Sequence, residues 1–172
     1  MRVITLEEHF TSREISEANA KYNPPATNQP KELVEFYKSR MMFGEALFDI
    51  EKMRLPFMDK SKITMQVLSY TSPVSDKVPS SEAVKICRRA NDILAERIAE
   101  YPDRFSGFAT IPMADPEAAA NELERCVKNY NFCGVLVAGQ FQGHFYDEPQ
   151  FFQIFKKPQE LDVPVYFHPA VI

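Results

Sequence analysis

Two short segments at opposite ends of the chain carry residue types that bind metal ions. Near the start an apolar run closes on Thr5-Leu6-Glu7-Glu8-His9, and at the far end another closes on Val165-Tyr166-Phe167-His168-Pro169. Carboxylate and imidazole are both good ligands for zinc and manganese, so Glu7 and His9 suit one shared divalent cation. His168 adds a third donor if the two segments meet. Three protein ligands with positions left open is the pattern of a catalytic site rather than a closed structural one. Taken singly, each element has a plainer reading: Glu-Glu-His as a solvated strand edge, His168 as a satisfied core or rim histidine. Ser69 and Thr71 after a second apolar run, and His144 in Gly143-His144-Phe145-Tyr146, are candidates for substrate contact. His144 reads equally well as a surface loop residue. Met41-Met42-Phe43 is placed to cover an aromatic substrate.

The elements that must position these residues follow from periodicity. Val3 to Glu7, Ile63 to Ser69, Phe105 to Ile111, Gly134 to Val137 and Val163 to His168 read as five buried strands. Between them lie helical patterns. Glu45 to Met58 is loosely periodic, and Pro56 inside it predicts a kink or an earlier stop. Ser80 is the expected N-cap of a long helix to about Tyr101. Asp115-Pro116-Glu117 is a helix start, with a capping Asp and Pro at the first helical position. Glu148 to Leu161 carries a last helix, which Pro158 is expected to interrupt. Residues 11 to about 45 read as one long polar connection, more often a functional flap than filler. Strict alternation along strand one puts Thr5, Glu7 and His9 on one face. The aliphatic pair Ile4 and Leu6 then suits a face covered by helices.

Strands alternating with helices imply βαβ units and a parallel sheet. Five such units fit a doubly wound sheet or five-eighths of a (β/α)8 barrel, which keeps its catalytic groups at the C-terminal ends of its strands. No glycine-rich phosphate loop follows any strand, which weakens the nucleotide-binding branch. The 172 residues carry a net charge of −4 and form no basic stripe, so nucleic acid is not an expected partner. No apolar run reaches the roughly 18–20 residues of a membrane span, and the first residues enter a strand with no signal-peptide pattern. The three cysteines, Cys87, Cys126 and Cys133, form no disulfide framework, so a cytoplasmic setting is expected. Cys87 and Cys126 fall on helix apolar faces and read as packing.

Leu6-Glu7-Glu8-His9-Phe10 resembles the opening of the amidohydrolase-2 branch of the amidohydrolase superfamily. Members include γ-resorcylate, 2,3-dihydroxybenzoate and aminocarboxymuconate-semialdehyde decarboxylases. Met58-Asp59 with Met65 to Ser69, Ala90-Asn91-Asp92, Pro102 to Phe105, Gly107 to Pro112, and Asp162 to Pro169 extend the resemblance along nearly the whole chain. The resemblance implies a (β/α)8 barrel in which Glu7, His9 and His168 hold one divalent metal, with Zn2+ ranked ahead of Mn2+. It implies a further His, an Asp and the general acid beyond Ile172. The chain is therefore expected to be the N-terminal part of one barrel domain, ending after about the fifth strand, with residues 11–45 as a flap. The expected activity is non-oxidative decarboxylation of a small, aromatic carboxylic acid. Metal-assisted hydrolysis of a lactone, ester or amide is the alternative, and a non-catalytic product that associates with other chains is a third. The isolated chain is expected to be inactive and to self-associate as a homo-oligomer. Three departures from the family pattern stand out: Lys62 where Gly usually precedes strand two, Pro56 and Pro158 inside helices, and Ala138-Gly139-Gln140 in place of Asn-Gly-His.

Overall fold

The computed structural model describes residues 1–22, 30–32, 35, 44–70 and 77–169. Five parallel strands lie in the order of the chain: β1 (Ile4–Phe10), β2 (Met65–Tyr70), β3 (Phe105–Ala109), β4 (Gly134–Ala138) and β5 (Val165–His168). The helices are α1 (Arg13–Ala20), α2 (Gly44–Phe48), α3 (Arg54–Lys60), α4 (Ser80–Glu100), α5 (Pro116–Tyr130) and α6 (Phe152–Leu161), the last preceded by a 3-10 turn over Pro149–Phe151. Laid flat, β1 and β5 would stand about 19 Å apart at ordinary strand spacing. Instead Glu7 Oε1 on β1 lies 3.2 Å from His168 Nε2 on β5, so the sheet curls into part of a barrel. The core packs between its outer face and the helices, with Phe10, Leu68, Leu94, Phe105, Leu123, Val135 and Ile154 all buried.

Strict alternation fails in β1. Thr5 pairs with Gln66 but Glu8 pairs with Leu68, so one extra residue is inserted at Leu6-Glu7. This is a β-bulge, and Glu7 within it adopts φ 64°. Downstream of the bulge the faces swap. His9 pairs with Ser69 on the inner face, and Glu8 and Phe10 turn outward with Leu68 and Tyr70. Ile4 and Leu6 are not covered by helices as expected; they are 47% and 49% exposed.

The helix expected over Glu45 to Met58 is two helices, α2 and α3. Asp49 separates them, its carboxylate accepting from the backbone N–H groups of Lys52 and Met53 at 3.2 and 2.6 Å. Pro56 consequently falls in the first turn of α3, where the missing N–H has no partner to lose. Pro158 does not interrupt α6, which continues through it to Leu161. It lies within the last turn, and its carbonyl is used by the cap, accepting from Val163 N at 3.0 Å. Ser80 is the first residue of α4 rather than its cap; Pro79 stands at the cap without a side-chain bond. Asp115 caps α5 as expected, accepting from Ala118 N at 3.0 Å. The connection after β1 begins with α1, capped by Ser12 and docked by buried Ile15 and by the Glu14–Arg89 pair. Most of its remainder, with Met41-Met42-Phe43, lies outside the described residues.

The departure at Lys62 has a structural meaning. The last turn of α3 closes with Ile63 N donating to Met58 O at 2.9 Å and Lys62 N to Asp59 O at 3.2 Å. That is a Schellman cap, whose αL position Lys62 fills at φ 58°. Glycine takes this conformation without the Cβ penalty. Lys62→Gly is therefore expected to stabilise the fold by about 1 kcal/mol, read as a higher urea midpoint at unchanged slope. A lower midpoint would contradict the strain.

A buried amide ties the third unit together. Asn91 donates to Thr110 O and to Glu122 Oε1, each at 2.8 Å, and accepts from Thr110 N at 2.9 Å. Glu122 in turn accepts from Arg125, which also holds Asp92 at 2.7 Å. This network fastens the exit of β3 between α4 and α5, so the strand ends cannot shift independently of the helices.

Candidate metal centre

Glu7, His9 and His168 converge. One ligand atom from each lies within 4.8 Å of the others, and the two imidazole centroids are 5.1 Å apart. Two features bring them together: the bulge that turns Glu7 inward and the curl that brings β5 back to β1. Around them the inner face carries Ser69, Phe108 and Tyr166. Ser69 Oγ is 3.3 Å from His9 Nδ1, which leaves Nε2 as the free donor of that ring. Tyr166 donates to Glu7 Oε2 at 2.5 Å and stacks on Phe108, centroids 5.7 Å apart.

One hydrogen bond of His168 fixes its tautomer. Nδ1 lies 2.8 Å from Pro169 O. A carbonyl only accepts, so Nδ1 carries the proton and donates. In the neutral ring Nε2 is then a lone pair, facing the carboxylate oxygen of Glu7 at 3.2 Å. Two electron-rich atoms at that separation repel unless a proton or a cation lies between them. The donor set therefore fits a divalent ion, and a backbone carbonyl fixing one imidazole nitrogen is the usual support of a metal-ligating histidine.

Charge states point the same way. The Tyr166 hydroxyl, and then the two imidazoles, hold the Glu7 carboxyl below its usual range. Burial, and then the nearby His168, lower His9. A carboxylate and a neutral imidazole are the forms that bind metal. Tyr166 is pushed up, chiefly because its proton is shared with Glu7.

The other candidates lie elsewhere. His144 pairs with Glu148 at 3.0 Å, with its side chain 53% exposed, and is not one of the converging groups. Thr71 lies outside the described residues. Cys87 and Cys126 are buried and their thiols are raised by burial, consistent with packing. Among the described residues no helix is long and apolar enough to cross a membrane.

Sequence reasoning missed two residues. Tyr166 sits two positions before His168, and the period of the strand puts it on the same face, so the signal was present. Arg54 had none. Its guanidinium reaches back to the outer side of β1, donating to His9 O at 2.5 Å, Ala46 O at 3.3 Å and Gln66 Oε1 at 3.2 Å, beside Glu8 at 3.6 Å.

A curled parallel β/α sheet with a carboxylate and two imidazoles at its strand ends defines a class of metal-dependent barrel. The amidohydrolase family model matches residues 43–172, and the chain belongs to that family. Among curated proteins it is 39% identical over 176 residues to γ-resorcylate decarboxylase of Rhodococcus jostii, covering 96% of this chain and 50% of that protein. It is 40% identical over 173 residues to the γ-resorcylate decarboxylase of a Polaromonas species, covering 96% of this chain and 49% of the relative. Among solved structures, a dihydroxybenzoic acid decarboxylase of Polaromonas with bound manganese and the inhibitor 2-nitroresorcinol superimposes at a TM-score of 0.76. Identity is 39%, covering 100% of this chain and 51% of that one. The chain spans about half the length of the curated relatives it matches.

Proposed function

We propose that this chain supplies Glu7, His9 and His168 to the metal centre of a non-oxidative decarboxylase acting on a small aromatic carboxylic acid. The observation that carries the reading is the convergence of the three donors at the strand ends of a curled parallel sheet. Manganese bound in a related structure supports a divalent cation here, with Mn2+ as the ion to try first. Glu7, His9 and His168 would hold the cation, which when bound would supply positive charge to a substrate carboxylate or adjacent hydroxyl as carbon dioxide leaves. The chain's own residues prepare for that. Glu7 contributes negative charge, His9 and His168 present lone pairs, Ser69 and Pro169 orient the rings, and Phe108 with Tyr166 lines the inner face with aromatic surface.

The test is a substrate panel applied to the polypeptide carrying this chain, loaded with Mn2+. Hydroxylated benzoic acids are expected to release carbon dioxide without an oxidant, and lactones, esters and amides to remain intact. Hydrolysis without carbon dioxide release would replace decarboxylation by metal-assisted water attack.

A further inference from the structure

Glu7 has two carboxylate oxygens, and the structure treats them differently. Oε1 faces His168 Nε2 at 3.2 Å. Oε2 is engaged by the Tyr166 hydroxyl at 2.5 Å. We propose that Tyr166 is a positioning residue of the metal centre, occupying Oε2 so that Glu7 offers Oε1 alone toward the two imidazoles. The inference rests on the metal reading above and goes beyond it in assigning a role to a residue that is not a ligand.

The ring is held for this task from the opposite side. Tyr166 stacks on Phe108 at an interplanar angle of 24°. Phe108 fits there because its neighbour on β4 is Gly134, where a Cβ would come within 3.1 Å of the Phe108 ring. A chain of contacts thus runs from Gly134 through Phe108 and Tyr166 to Glu7, joining strands three to five to strand one. Glu7 needs such support. It stands in a bulge at φ 64°, a conformation that a residue with a Cβ keeps only when its surroundings impose it. Without Tyr166 the carboxylate is free to rotate about its last torsion, which is broad and weakly restrained. Outer partners that orient a ligand are worth about 10–100-fold in metal affinity.

Tyr166→Phe removes the hydroxyl and keeps the stacked ring. Two readouts apply to the purified chain, with Glu7→Gln measured alongside. The first is Mn2+ affinity by titration calorimetry; the second is the visible spectrum of the Co2+-saturated protein, which reports ligand number and geometry. The expected result is Mn2+ affinity lowered by about 10–100-fold and a changed Co2+ spectrum, with metal-free melting close to that of the parent. Since the spectrum is recorded at saturation, it decides even if the variant melts earlier. Parent-like affinity and an unchanged spectrum in Tyr166→Phe, while Glu7→Gln loses binding, would overturn the role of Tyr166 and leave the metal centre standing. Failure of the parent itself to bind Mn2+ or Co2+ would remove the metal reading, and this inference with it.

Discussion

Glu7→Gln is expected to reduce Mn2+ affinity by more than the roughly 10–100-fold that loss of an outer-shell partner costs, because it removes a ligand charge outright. The substitution keeps the shape of the side chain, and the Gln carbonyl still accepts from Tyr166. It also leaves the bulge with the same kind of residue at φ 64°, so the loss isolates charge from fold. Calorimetric titration of parent and variant with Mn2+ is the measurement. Equal affinities would show that the carboxylate is not a ligand. The same titration run against pH carries a sign. Binding needs Glu7 ionised and His9 neutral. Glu7 is held low by Tyr166 and the imidazoles, and His9 is lowered chiefly by burial. Both shifts keep the metal-ready forms to lower pH than free side chains would. The protonation of His9 should therefore weaken binding only below about 6.5, the ordinary histidine value.

Arg54→Ala is expected to destabilise the fold by about 1–3 kcal/mol, the cost of leaving a buried acceptor without its donor. The side chain of Arg54 is only 10% exposed and sits beside Glu8. Its loss strips donors from the carbonyls of His9 and Ala46 and from the amide oxygen of Gln66, itself 1% exposed. Of the three acceptors Gln66 is the buried one, and the contact with Glu8, at 3.6 Å and with its carboxylate side chain 28% exposed, adds little to that. Arg54→Lys should fall between parent and Ala, since a point ammonium cannot span three acceptors as a planar fork does. Urea unfolding gives the values. A loss under about 1 kcal/mol for Arg54→Ala would mean that β1 is held by its ladder alone. Mn2+ affinity should fall as well, because Arg54 grips the backbone of His9.

The strand and helix order was legible in the sequence because each apolar period is local. Alternation marks a strand, a 3.6-residue recurrence marks a helix, and Asp115-Pro116 announces its own start. The donor residues were legible by type and by their place at strand ends. Their means of meeting was not. Alternation alone put Ile4 and Leu6 against helices and Glu7 beside His9 on a regular strand. The bulge at Leu6-Glu7 breaks that rule, and only the register against β2 reveals it. Pro56 likewise looked like a break in a helix until Asp49 placed the helix boundary just before it.

What the sequence determined by itself is a parallel β/α chain whose first and fifth strands end in carboxylate and imidazole side chains, since periodicity and residue chemistry are properties of short segments. What the tertiary structure decided is that Glu7 on the first strand and His168 on the fifth stand 3.2 Å from one another. That depends on the curl of five strands, on one inserted residue, and on Arg54 and Tyr166 closing in from opposite faces. Each of these is a long-range contact whose energy exists only once the sheet has formed.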